Sequence, residues 1–343
     1  WSLWSDYYQT FHDPVHLFDA NVFYPYRYSL AFSENDYGIA LLFFPLFAAG
    51  MRTLTIHSIA TFIGFVFSGY GAFRLTRTLT IEHGPAWIAG IVFAFIPYRF
   101  HVLSHLHYLF AGWIPLLFEA LVLFGRQSSW RRAAWLGVAL LMNALSCISW
   151  FIMTLIPLTL TLILLLTAHR SLLRNRDFWF RGGVALSVAT VALTPFLLPY
   201  YLVSVKYGLR WQPWEFALNS PSLIHWLAAE SRNKLWHNFG ANIPGGHKLF
   251  PGMLAPLLAI AALRIGRVPP NDSEFQTERW LNVTLDALVV SAAIMAALAV
   301  GNGDMIYRVF GHRIIRLNAH SVDQALVVSA LPVGVELLPF RPQ

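Results

Sequence analysis

From Ala133 to Ala168 the chain runs without one Asp, Glu, Lys or Arg. A membrane crossing takes about 20 apolar residues, so this run is about twice the length of one crossing. The weakly polar patch Ser146-Cys147-Ile148-Ser149-Trp150 lies near its middle and predicts a tight hairpin there. In a bilayer the backbone must satisfy its own hydrogen bonds, so the reading is two helices back to back.

The rest of the chain repeats the theme. Leu54–Leu75 and Leu109–Gly125 read as crossings, Pro85–Pro97 as a short one, and Val184–Val203 as one kinked by Pro195 and Pro199. Pro251–Ile265 and Leu281–Val300 complete the set. Gly38–Gly50 is apolar but too short to cross, and reads as a helix lying at the interface. The expected fold is therefore an all-α polytopic transmembrane bundle of about 8 crossings with interfacial helices in its outer loops. Composition agrees: 57% of residues are hydrophobic and 12% charged, where soluble domains carry about 25% charged.

Three regions follow: an acidic, aromatic segment 1–53, a bundle 54–300 that includes a long loop 204–250, and a mixed tail 301–343. The opening at Trp1 and the mixed tail suggest a fragment with at least one crossing missing upstream. The side each loop occupies is read from the basic residues. Loops around Arg74/Arg77, Arg126–Arg132, Arg170–Arg181 and Arg264–Arg279 hold 12 of the 24 Lys and Arg. Short basic loops mark the cytoplasmic side. Alternation then places segment 1–53, the turn Pro97–Tyr108 and the loop Ser204–Phe250 together on the outer face. With the basic residues spent in this way, the net charge of +7 gives no reason to expect nucleic acid.

The motifs exclude several chemistries. There is no Walker loop, no strand-flanked GxGxxG, no HExxH and no GxSxG, so a cytosolic nucleotide is not the expected substrate. The single cysteine, Cys147, excludes an intramolecular disulfide and a Cys-based metal cluster. What remains is acid-rich. Asp6, Asp13, Asp19, Glu34 and Asp36 lie among Trp1, Trp4, Tyr7, Tyr8, Phe11 and further aromatics. A carboxylate at an interface serves as a general base toward a hydroxyl within hydrogen-bond reach. Such a segment equally suits a solvated aromatic belt. Ser33 and Asp36 have capping-box spacing before a helix beginning near Tyr37, which marks Asp36 as structural.

His101, His105 and His107 form HxxxHxH, and the first two share a helical face. A divalent ion and hydrogen bonds to backbone or phosphate are both open to them. Arg99 beside them suits a grip on a lipid phosphate or a side chain snorkelling to the surface. Lys206 and Arg210, set among Trp211 and Trp214, suit an anionic lipid head, a sugar, or simple contact with anionic lipid. Glu119 is an acid inside a crossing, and such acids face the bundle interior and are functional or paired. The other crossings hold almost no charge, which argues against a proton-coupled transporter.

HDPVHLFDANVFYP (12–25), SENDYGIAL (33–41), GYGAFRLTRTLT (69–80), FAFIPYRFHVLSHLHYL (93–109) and KLFPGMLAPLLAI (248–260) together resemble multi-pass bacterial proteins of the GT-C glycosyltransferase superfamily. The resemblance is carried by spacing and short phrases between Trp4 and Leu263. It implies a cytoplasmic-membrane enzyme that takes a sugar from a polyprenyl-phosphate donor and passes it to a lipid, glycan or protein hydroxyl on the outer face. It implies an essential acid in the first outer loop, for which Asp13 and Asp19 are the candidates. Arg99, His101, His105, His107, Lys206 and Arg210 are candidates for holding the donor phosphate. No cofactor is implied beyond a possible divalent ion, for which no ligands are assigned. Partners are the bilayer and the lipid-linked sugar. A flippase for lipid-linked glycans and a non-catalytic membrane scaffold are the competing classes; a flippase requires a polar path through the bundle.

Overall fold

The computed structural model describes residues 1–209, 212, 215, 220–221, 223–230, 233–236, 247–258, 305–309 and 312–317. The chain divides into two compact units, Trp1–Phe95 with Val102–Trp211, and Ile96–His101 with Gln212–Gln343.

Among its described residues the first unit is helical throughout. It comprises α1 (Ser2–His12), α2 (Tyr37–Ala48), α3 (Thr53–Thr80), α4 (His83–Ala94), and, after α5 (Pro97–His101) of the second unit, α6 (Leu106–Leu109). It continues with α7 (Trp113–Arg126), α8 (Trp130–Ser146), α9 (Ile148–Ala168) and α10 (Arg176–Tyr207). Among the described residues three helices are long and apolar enough to cross a membrane: α3 with 28 residues, α9 with 21 and α10 with 32. The short interfacial helix expected at Gly38–Gly50 is α2, 12 residues long. The Pro85–Pro97 and Leu109–Gly125 crossings correspond to α4 and α7, only 12 and 14 residues long.

Local chemistry sets the boundaries. The Ala133–Ala168 run breaks at Cys147, whose φ of −166° and ψ of 112° leave the helical region. Ser129 Oγ caps α8 by accepting from Arg132 N, and Asn175 Oδ1 caps α10 by accepting from Phe178 N at 3.1 Å. Gly208, at φ +64°, ends α10 in the left-handed conformation that glycine adopts without strain. The Ser33–Asp36 capping box does not form. Helix α2 starts at Tyr37 as its spacing predicts, but Asp36 makes no cap bond and faces His107 instead.

Helix α3 packs along α4 and α7, α7 along α8, and α8 along α10. Close approach is bought with small residues: a Cβ on Gly90 would stand 2.9 Å from Gly69 O across α3 and α4. Glu119, 1% exposed, lies inside this packing. It accepts from Arg74 Nε at 3.0 Å and from Thr78 Oγ1 at 3.0 Å. The acid expected inside a crossing is thus paired.

Contacts sort the loops to two ends. At one end, Arg181 Nη1 donates to Ser128 O at 2.6 Å, Arg181 lies 5.8 Å from the Trp130 ring centroid, and Arg132 Nη1 donates to Leu123 O. At the other end, Glu34 meets Ile148, Asn35 meets Tyr200, and Arg27 meets Tyr207. Exposed rings mark both levels on α10, Phe180 and Tyr201. At 1.5 Å per residue they stand about 32 Å apart, close to the thickness of a hydrocarbon core.

In the second unit, α5 and a 3-10 turn at Leu223–Leu227 precede an antiparallel hairpin of β1 (Met305–Val309) and β2 (His312–Leu317) in the tail. The expected crossing at Leu281–Val300, and all but residues 251–258 of Pro251–Ile265, lie outside the described residues.

Candidate functional site

The amphipathic pattern of α1 turns Leu3 and Asp6 inward, one helical turn apart and both buried. The chain then reverses through a 3-10 turn at Pro14–His16 and another at Ser29–Phe32, and returns along α1 as the loop 33–36. That loop carries Ser33, Glu34, Asn35 and Asp36. Together α1, this loop, the start of α3 and residues 104–107 enclose a cleft of about 270 Å³. Its polar lining includes Glu34, Asp36, His57, His105 and His107 with several hydroxyls, and Trp1 also borders it.

Each acid of the loop has a different task. Glu34 closes the N-terminus of α9: Oε2 accepts from Ile148 N at 2.8 Å, and Oε1 accepts from Ser149 N at 3.0 Å and from Ser149 Oγ. A carboxylate there meets the unpaired amides and the positive end of the helix dipole. Asp36 Oδ1 stands 3.2 Å from His107 Nδ1, both side chains being under 15% exposed. The contact lacks hydrogen-bond alignment, and Oδ1, which is sealed from solvent, has no hydrogen bond. Asp6 is fully buried. Burial first, and the charge of Asp36 second, push its carboxyl up to about 8.

Of the residues singled out in the sequence, His105 and His107 reach the cleft. His105 Nδ1 lies 3.0 Å from Ser104 Oγ. Arg99 and His101 belong to the second unit. Arg99 is 3% exposed, and burial lowers its guanidinium to about 10. His101 Nδ1 is bonded to Glu230 Oε2. Asp13 and Asp19 line no part of the cleft. Asp13 is half exposed and bonded to His16 Nδ1 at 2.8 Å. Asp19 holds the chain reversal, accepting from Tyr28 N at 2.6 Å and Arg27 Nε at 3.2 Å. Lys206 is exposed at the end of α10, its Nζ 5.2 Å from the Tyr207 ring centroid. Arg210 lies outside the described residues. Among the described residues no three His, Cys, Asp or Glu side chains are grouped closely enough to hold a metal ion.

Asn35 and His57 were not singled out in the sequence, and Asp6 only as one of the five acids of the first segment. The Leu3–Asp6 spacing signals an inward acid, whereas nothing local signals Asn35 or His57. Chemically, the cleft offers a carboxylate beside an imidazole, with hydroxyls around them. A carboxylate beside an imidazole is a pair suited to general acid–base chemistry. Comparison with protein families, curated proteins and solved structures returns no match.

Proposed function

We propose that this chain is a polytopic membrane glycosyltransferase of the GT-C kind, with about 8 crossings in a bacterial cytoplasmic membrane. In this reading it moves a sugar from a polyprenyl-phosphate donor to a hydroxyl on the outer face. The observation that carries the reading is the acid- and histidine-lined cleft, built at the end of the first unit opposite its arginine-rich loops.

The reaction is a single inverting displacement. Asp36 takes the proton of the acceptor hydroxyl as its oxygen attacks the anomeric carbon. The bond from that carbon to the phosphate oxygen breaks, and polyprenyl phosphate leaves with the electron pair. His107 holds Asp36 oriented, and His57 and His105 face the departing phosphate. The base is thereby moved from Asp13 and Asp19, which are engaged in local turns, to Asp36. Geometry supports that choice: Asp36 lines the cleft and stands beside His107. Lys206 remains a candidate for a contact to the donor, whereas Arg99 and His101 belong to the second unit and Arg210 lies outside the described residues.

The test uses membranes containing the full-length protein and a panel of labelled polyprenyl-phosphate hexoses and pentoses. Release of polyprenyl phosphate is followed, because every acceptor yields it. The expected result is donor-dependent release that Asp36→Asn reduces by about 10² or more. Donor translocation with no release of polyprenyl phosphate would mean a flippase and would overturn the reading.

A further inference from the structure

Two buried acceptors next to the cleft have no partner. Asp6 Oδ2 and Asn35 Oδ1 are both sealed from solvent and both lack a hydrogen bond. Their sister atoms face each other, Asn35 Nδ2 donating to Asp6 Oδ1 at 3.4 Å. Leaving two buried acceptors unsatisfied costs about 1–3 kcal/mol each. One proton removes both deficits. Placed on Asp6 Oδ2, it donates to Asn35 Oδ1 and closes a reciprocal acid–amide ring.

We propose that Asp6 is a positioning residue of the cleft, held as a neutral carboxyl in a two-bond pair with Asn35 that latches α1 to the loop carrying Asp36. The latch is placed to matter. Asn35 is flanked by Glu34, which caps α9, and by Asp36, which faces His107. Its backbone N–H donates to Tyr200 Oη at 3.0 Å, so α10 fixes the loop from behind. Helix α1 is held a second time by Thr10 Oγ1, 3.2 Å from Tyr37 Oη. Fixing Asn35 therefore fixes the direction in which Asp36 leaves the loop.

The charges around Asp6 favour the neutral form. From the loop Asp36 presses on it with like charge, and burial presses harder. The hydrogen bond from Asn35 Nδ2 acts in the opposite sense. The phenols of Tyr37 and Tyr200 face the site from α2 and α10, and His107 faces Asp36 from α6. A cavity of about 10 Å³ also borders Asn35 and Tyr200. It has room for one water, which would serve Asn35. Asp6 does not line it, so that water would leave Asp6 Oδ2 unsatisfied.

The role as a positioning residue rests on the glycosyl-transfer reading; the protonation itself does not. Infrared spectra of the full-length protein in lipid nanodiscs, without substrate, test the protonation. At pH 7 a protonated-carboxyl C=O band is expected in the wild type and absent from Asp6→Asn. No such band lost on substitution would overturn the latch. Transfer assays test the positioning. Asn at position 6 can form the same ring at any pH, so Asp6→Asn keeps wild-type activity at pH 7. It also lacks the alkaline fall, about tenfold per pH unit, expected of the wild type above the Asp6 ionisation. Asp6→Leu loses activity at every pH. An unchanged alkaline limb in Asp6→Asn would reduce Asp6 to a structural group. Absence of transfer in the wild type would instead sink the functional reading and leave the infrared result standing.

Discussion

Glu34 and Ser149 stand 115 residues apart in the chain, yet one carboxylate oxygen of Glu34 accepts from both the backbone N–H and the hydroxyl of Ser149. The second oxygen accepts from Ile148 N. The first loop is thus fastened to the break between α8 and α9, and the cap of α9 comes from a distant part of the chain. Replacing Glu34 with Gln leaves one oxygen for two backbone amides. We expect Glu34→Gln to lower stability by about 1–3 kcal/mol and Glu34→Ala by more, as read by denaturant unfolding in detergent. An unfolding midpoint unchanged in both variants would rule out the cap.

Asp36, Asp13 and Asp19 separate by role. Asp36→Asn should reduce polyprenyl-phosphate release by about 10²–10⁴ with little loss of stability. Asp19→Asn weakens the bond to Tyr28 N and the contact to Arg27, so stability falls while turnover per folded molecule holds. Asp13→Asn touches only a half-exposed turn and should change neither. Turnover and thermal unfolding measured on the same preparations decide it. A larger turnover loss in Asp13→Asn than in Asp36→Asn would return the base to Asp13.

Arg74 and Glu119 tie α3 to α7 inside the bundle. Arg74→Leu leaves Glu119, which is 1% exposed, without its cation, and stranding a buried charge costs about 3–5 kcal/mol. The double variant Arg74→Leu with Glu119→Leu removes both charges and should recover most of that loss, since the pair has little net worth against an apolar replacement. Unfolding of the two single variants and the double variant gives the coupling. A double variant as unstable as the sum of the singles would show the two residues to be independent.

The division of loops between two ends predicts opposite compartments. Cys147 is buried, so introduced cysteines can be read against a silent background. Asn21→Cys and Gln127→Cys are exposed positions at the acidic and arginine-rich ends. In intact cells a membrane-impermeant thiol reagent should label position 21 and leave position 127 untouched until the membrane is opened. Labelling of both in intact cells would end the two-sided arrangement.

These contrasts show which parts of the chain were legible in its residues. Helices α3, α9 and α10 follow from apolar runs long enough to cross a bilayer, and the break at Cys147 from a short polar patch, because both are local properties. The short lengths of α4 and α7 were less legible, since apolar residues continue past the point where the helix ends. The site was legible only in outline. Acid-rich composition points to the first segment, and the turns that Asp13 and Asp19 make follow from local phrases. Asp36 meets His107 across 71 positions by their numbering, through a cleft that no local spacing encodes. Long-range pairing of this kind depends on how helices pack, and one sequence carries no direct record of it.

The buried carboxyl of Asp6 fixes the sign of a pH dependence. In the unfolded chain an Asp ionises near about 3.9, whereas in the fold it holds its proton up to about 8. Between those values the folded protein carries a proton that the unfolded chain lacks. Unfolding then releases a proton, so stability falls as pH rises through that window. Below the lower value both states are protonated, and above the upper value both are ionised, so the contribution is flat at either end. The slope is at most about 1.4 kcal/mol per pH unit. Subtracting the Asp6→Asn curve from the wild-type curve isolates it, because the amide does not titrate and other groups cancel. We expect the wild type to lose stability relative to Asp6→Asn steadily from about pH 4 to about pH 8, then no further. A difference curve flat across that range would place the folded and unfolded ionisations together, and the neutral buried carboxyl would be excluded.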